Sequence, residues 1–347
     1  MLTQRQNAIL EFLQKSKQAP QSAILAFIVT KFDAISKPTI LRDIGVLLTA
    51  GLIEKIGRGR GVIYAPKNKN PFLFHFDPES YFKISQDQRE IKKMFNWDIF
   101  DYPTNFFTIS EIKRLKSANT EYLKKRAKMD RTSLHKEFER LTIELAWKSS
   151  HLEGNTYSLL ETETLIKEAQ EAAGHTKEEA IMILNHKRAL DYILESAKQF
   201  KILKATHVRA VHSLLIKDLG IPDDFRKIIV RITGTNYQPL DNKFQIEDAV
   251  KKIVELINKE ENPAAKALLA TALISYVQPF VDGNKRTSRL MANAILLAHN
   301  WCPLSLRSMD ETAYKKAVLL FYEQNSLELL KQLFIEQFEF AVNNYFG

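Results

Sequence analysis

Apolar residues recur at helical spacing along most of this chain, and the few interruptions carry as much information as the rule. In residues 3–15, Ile9, Leu10, Phe12 and Leu13 share one face behind Thr3, which predicts a capped first helix. After Pro20, Ser22 to Lys31 predicts a second short helix. Ser36, Lys37 and Pro38 open a third that ends at Gly51, with Ser36 capping and Pro38 in the first turn. Leu52, Ile53 and Ile56, the basic turn Gly57-Arg58-Gly59-Arg60-Gly61, and Val62, Ile63 and Tyr64 then form a hairpin pattern. Residues 66–105 hold Pro71, Phe72, Phe74, Phe76, Pro78, Trp97, Tyr102 and Pro103 without a clean period, which predicts a packed connector. From residue 108 onward, helices are predicted near 109–128, 131–152, 158–171, 177–199, 205–218, 246–259, 263–278, 284–299, 310–324 and 326–343. One segment breaks this series: Ile228 to Leu240 alternates around Thr233-Gly234-Thr235-Asn236, a hairpin signature inside helical surroundings.

The expected fold class is therefore mainly α. A helical bundle with a small β-hairpin flap occupies residues 108–347, a connector residues 67–107, and a separate module residues 1–66. Three helices followed by a basic hairpin resemble a winged helix-turn-helix, a family in which the third helix enters the major groove and the wing touches phosphate. That resemblance places Thr39, Arg42 and Asp43 outward on the recognition helix and Arg58 and Arg60 at the wing tip. Charge adds weight to it, because residues 1–70 hold eleven Lys and Arg against four Asp and Glu, most of the chain's formal +9. Duplex DNA bound through residues 1–66 is one expected partner; protein docking or dimerisation by the same module is the other. No stretch reaches the roughly 18 apolar residues of a membrane helix. The single cysteine, Cys302, and the lack of zinc-type spacing fit a reducing compartment, so a cytoplasmic location is expected and no membrane partner.

The segment that carries chemistry is Gln278-Pro279-Phe280-Val281-Asp282-Gly283-Asn284-Lys285-Arg286-Thr287-Ser288-Arg289. Pro279 ends one helix, Gly283 and Asn284 allow tight turns with inward amides, and the positive end of the next helix faces the loop. Lys285, Arg286 and Arg289 add charge, while Asp282 offers the hard oxygen that a phosphate-bridging magnesium ion takes. These are the parts of a nucleoside triphosphate site with Mg2+. The segment resembles the Fic motif, His-x-Phe-x-Asp/Glu-Gly-Asn-Gly/Lys-Arg with a further Arg, in every position except the first. The resemblance spans roughly residues 130–343, including Phe225-Arg226 and the hairpin.

Fic proteins transfer AMP from ATP to a Ser, Thr or Tyr hydroxyl of a target protein. The resemblance implies metal at Asp282, a nucleotide held by Gly283, Asn284, Lys285, Arg286 and Arg289 with Thr233, Gly234, Thr235, Asn236 and Tyr314, and a target protein docked at the flap 229–240. Pairing into a homodimer is a further implication. Upstream, Ser149-Ser150-His151-Leu152-Glu153-Gly154-Asn155 resembles the family's inhibitory motif at the end of a helix spanning about 131–154, with Glu153 pairing to Arg289. The departure is Gln278, which stands where the family has its catalytic histidine and cannot accept a proton near neutral pH. Two functions stay open: an autoinhibited, weakened adenylyltransferase, or a catalytically dead nucleotide-binding regulator acting through an N-terminal DNA-binding module.

Overall fold

A computed structural model describes residues 2–33 and 35–346; the side chain of Arg60, expected at the wing tip, lies outside the described residues. The first 66 residues run α1 (Gln4–Ser16), β1 (Ala19–Pro20), α2 (Gln21–Lys31), α3 (Lys37–Thr49), β2 (Ile53–Ile56) and β3 (Ile63–Pro66). Thr3 closes α1 in a reciprocal capping box with Gln6. β2 and β3 pair antiparallel with Ile56 opposite Ile63, and β1 adds to the other edge of β3, giving the order β1-β3-β2. Ile9, Leu13, Ile24, Ile28, Ile40, Ile44 and Leu47 bury into a core of their own.

Two local expectations change here. Ser36 sits at the N-cap position of α3, but its hydroxyl is shared with that of Thr39 at 2.9 Å and leaves the helix amides alone. Asp43 turns inward rather than outward: it is 4% exposed and accepts from Arg5 Nε at 2.6 Å and Gln6 Nε2 at 2.9 Å. Those partners lie on α1, so the orientation is a tertiary choice that helical spacing does not encode. Thr39 is half-buried, and the outer face of α3 carries Leu41, Arg42 and Val46.

Residues 67–107 hold the short helix α4 (Pro78–Lys83), and their aromatic residues dock onto the larger core, with Phe72, Ile99 and Phe106 fully buried. The remaining helices are α5 (Ile109–Lys128), α6 (Arg131–His151), α7 (Leu159–Glu168), α8 (Lys177–Ser196), α9 (Ala205–Ile216), α10 (Lys243–Lys259), α11 (Pro263–Val277), α12 (Asn284–Ala298), α13 (Glu311–Gln324) and α14 (Glu328–Asn344). Capping boxes fix the starts of three of them, from Thr108 to Glu111, Ser158 to Glu161 and Thr176 to Glu179. α7 stops earlier than its apolar pattern suggests, at Ala169 in the left-handed region, and α8 gives way to a 3-10 turn after Ser196. α11 is apolar and buried on nearly every side, packed along α12, so the loop joining them hangs from the centre of the molecule.

The expected flap differs in its pairing. Residues 228–240 turn at Thr233 and Gly234, but the two arms form no ladder with each other. Arg226, 2% exposed, lies between their ends and donates to the carbonyls of Ile228 and Leu240, so that its guanidinium bridges them. Gln238 instead donates its N–H to Lys93 O at 2.7 Å in a parallel bridge to the connector.

Candidate anion site

α11 ends at Gln278 with φ 50°, and Gly283 starts α12 with φ 79°, a conformation that glycine takes without strain. No side chain caps α12, so its first-turn N–H groups stay open toward the loop. Asn284 holds the loop shut from inside, accepting from Phe280 N–H at 2.8 Å and donating to Phe280 O at 2.9 Å. Phe280 is fully buried and stacks on His212 with ring centroids 3.5 Å apart. His212 Nε2 lies 3.0 Å from the Asp282 carbonyl, and burial pulls the pKa of this imidazole down to about 4. His212 is thus a neutral brace behind the loop. Its place on α9 gave no sequence signal beyond a histidine on an apolar face.

Only Val281, Asp282 and Lys285 break the surface in this stretch. Asp282, 63% exposed at its side chain, accepts from Arg286 Nη2 at 3.0 Å. Among the described residues no three His, Cys, Asp or Glu gather into a metal cage. A lone exposed carboxylate beside an anion loop nonetheless fits magnesium, which is usually held by one or two carboxylates while the phosphates and waters complete its shell. Arg286 is 1% exposed, and its Nε and Nη1 have no hydrogen-bond partner. A buried cation with open donors is costly, roughly 1–3 kcal/mol for each unsatisfied group, unless an anion completes it.

Arg289 presents the opposite state. Nε donates to Ser149 Oγ at 2.9 Å, Nη2 to Ser149 O at 2.8 Å, and Nη1 to Glu153 Oε1 at 2.8 Å and the Tyr314 hydroxyl at 3.2 Å. Glu153 leaves the end of α6 just before Gly154, whose φ of 97° turns the chain away. Its second oxygen takes Lys285 Nζ at 2.7 Å, a contact that the sequence did not reveal. Burial pushes the Glu153 carboxyl up, but Arg289 and Lys285 outweigh it and hold the pKa below the usual carboxylate range.

Gln278, 8% exposed, donates from Nε2 to Ser275 O at 2.6 Å and to the Tyr322 hydroxyl at 3.3 Å, and accepts from Asn284 at 2.9 Å. Burial raises the Tyr322 phenol well above its ordinary value, so it is no base near neutrality. The structure also brings Tyr314 to the site, as a partner of Arg289. Of the turn residues, Thr235 Oγ1 accepts from Tyr237 N–H, and the Asn236 amide is engaged by Gln86 and Asp87 of the connector. No helix of the described residues is long and apolar enough to cross a membrane.

Residues 202–296 match the model of the Fic/DOC family, a span that includes this loop. The chain is 25% identical over 174 residues to protein adenylyltransferase Fic of Drosophila mojavensis, covering 48% of this chain and 34% of that protein. It is 27% identical over 189 residues to the namesake from Nematostella vectensis, covering 48% and 40%. The chain thus spans well under half the length of the curated relatives it matches. Among solved structures, Fic-1 from C. elegans superposes with a TM-score of 0.55 at 20% identity, over 67% of this chain and 70% of that one. A Fic domain containing signaling protein from Bacteroides thetaiotaomicron gives 0.55 and 20%, over 67% and 96%. The shared feature is a helical fold.

Proposed function

From the Fic/DOC family domain at residues 202–296, we propose that this protein binds ATP with Mg2+ at the loop 282–289 as a Fic-type protein adenylyltransferase, restrained by Glu153 and weakened by Gln278. The observation that carries this reading is Arg286, a buried guanidinium with two unpartnered donors at the uncapped start of α12. In the reaction a target hydroxyl oxygen attacks the α-phosphorus. The new O–P bond forms, the bond to pyrophosphate breaks, and pyrophosphate leaves. The hydroxyl proton must go to a base. Amides of Gly283 to Lys285 and the Arg286 side chain bind the phosphates, and Asp282 would hold the metal, which neutralises phosphate charge. Glu153 competes with the distal phosphate for Arg289 and Lys285. The segment 229–240 presents the target protein, with Ile228 and Ile229 exposed beside Arg226, whose Nε holds the Gln278 carbonyl at 2.6 Å.

Among the described residues no base stands ready at the loop. Gln278 is saturated by its neighbours, and His186, held to about 3 by burial and by Arg289 and Arg286, is fully buried. That favours a second reading, a nucleotide-binding regulator working through residues 1–66. The order helix, strand, helix, helix, strand, strand supports a winged-helix module there, with Arg42 and Arg58 exposed for duplex DNA; the bare Leu41 and Val46 on α3 suit protein docking or a homodimer instead. Incubation with ATP labelled at the α-phosphate separates the readings. AMP on a hydroxyl residue, found by mass spectrometry in the parent or in Gln278→His, supports transfer. Binding without transfer in both, with DNA affinity that changes with ATP, supports the regulator.

A further inference from the structure

Arg89 belongs to no motif, yet its side chain is held from several directions. It donates to both oxygens of Glu323 at 2.9 Å and to Ile84 O at 3.3 Å, and its guanidinium lies over the rings of Phe82 and Tyr81 at 5.2 and 5.9 Å. Glu323 on α13 is fully buried and also accepts from the Tyr81 hydroxyl at 2.7 Å. This pair is fixed to the helical body. Its one remaining bond reaches across to the turn at 233–234, where Arg89 Nη2 donates to Gly234 O at 2.6 Å.

Gly234 has φ 88°, and a Cβ there would come within 3.3 Å of Leu319 Cδ1 on α13. The turn is therefore seated on α13 with Arg89 closing over it. Neighbours of Arg89 extend the grip: Gln86 Nε2 donates to Asn236 Oδ1 at 2.8 Å, Asn236 Nδ2 to Asp87 Oδ1 at 3.0 Å, and Gln238 N–H to Lys93 O at 2.7 Å. On its other side the strip is tied to α1 by the ion pair of Glu90 with Lys15. The opposite arm is open: the backbone of Ile229 to Ile232 has no hydrogen-bond partner among the described residues, and Ile229 is 68% exposed. One arm is clamped by the connector while the other is presented.

We propose that Arg89 is a positioning residue for the docking segment, holding its turn against α13 so that residues 229–232 meet a target at a fixed place, and that Glu90 and Lys15 relay movements of residues 1–66 to the same turn. The inference rests on the reading of 229–240 as the target-docking segment. Arg89→Lys keeps a charge for Glu323 but lacks the fork that also reaches Gly234. The paired change Arg89→Met with Glu323→Met removes both charges at similar volume, so neither partner is left buried alone.

The test uses the full chain. Amide exchange at 233–238 should speed up by about tenfold or more in both variants, since a lost charge-assisted bond frees that turn to open locally. ATP affinity by calorimetry should stay within about twofold, because the anion loop is untouched. In a Gln278→His, Glu153→Gly background, the target's KM should rise while kcat holds. Lys15→Glu should loosen the turn by a smaller factor, and adding Glu90→Lys should restore it. Unchanged exchange in both Arg89 variants overturns the positioning role, and unchanged exchange in Lys15→Glu overturns the relay. If the parent binds no ATP, the functional reading fails while the exchange data still decide the role of Arg89.

Discussion

Arg286 and Arg289 stand one turn apart on α12, both buried, one facing the anion loop and the other facing α6. Arg286 keeps two nitrogens unpartnered, whereas all three nitrogens of Arg289 donate, to Ser149, Glu153 and Tyr314. The first arrangement is incomplete without an anion and the second is complete without one. A ligand reaching the loop therefore completes Arg286 directly but must displace Glu153 before Arg289 can take part. Binding and its restraint are thus built into successive turns of one helix, and each can be perturbed alone.

The sharpest break in that comparison combines the two missing functions. Gln278→His alone should label little, and Glu153→Gly alone should place the triphosphate well but transfer slowly. The double variant should exceed either by on the order of 10²-fold, since general-base catalysis is worth about 10² to 10⁴ only when the phosphates are in place. A double variant that binds ATP yet stays inert with a range of nucleotides would sink the transferase reading. Next in size is Arg286→Ala, which removes the open donors; ATP affinity by calorimetry should fall by about 10²-fold, from two charge-assisted bonds of roughly 1.5 kcal/mol each. Affinity equal to the parent's would mean that the anion binds elsewhere.

Glu153→Gln tests the saturated side. It should raise ATP affinity by about tenfold while leaving AMP within about twofold, because the contact opposes only a distal phosphate. Equal gains for both nucleotides would show that Glu153 acts on something other than Arg289. A separate test concerns stability and His186, which lies near both arginines and is held to a pKa of about 3. Unfolded, it titrates near 6.5, so between these values the unfolded chain binds a proton that the folded chain refuses, and stability falls on acidification by about 1.4 kcal/mol per pH unit. His186→Leu should flatten the acid limb of a plot of thermal midpoint against pH. His212, held to about 4, should keep part of the slope.

Much of this arrangement was legible in the sequence. Helices α5, α7 and α8 begin at Thr or Ser three residues before Glu, and the loop at 278–289 declares itself through local residue types. The Glu153 and Arg289 contact joins residues 136 apart, yet the resemblance anticipated it. What remained hidden was decided by packing between distant segments. Asp43 satisfies a helical face either way until Arg5 claims it. The alternation at 228–240 reads the same whether the arms pair with each other or, as here, only one of them bridges to the connector, because period two says nothing about which edge is used. Lys285 sits at a position with an anion nearby in either reading, and only the place of Glu153 shows which anion it has.

The backbone at residue 278 has a consequence for the protein's history. Its N–H bonds to Ile274 O at 3.2 Å, its carbonyl takes Arg226 Nε at 2.6 Å, and its left-handed conformation is fixed by these main-chain contacts and by the helix end. These main-chain contacts do not involve the side chain that projects there, although Gln278 Oε1 also takes Asn284 Nδ2. Glutamine and histidine codons differ only in their last base, so a single transversion would exchange an inert amide for an imidazole without rebuilding the turn. On this scaffold, gain and loss of a proton acceptor are separated by the smallest step that mutation can take.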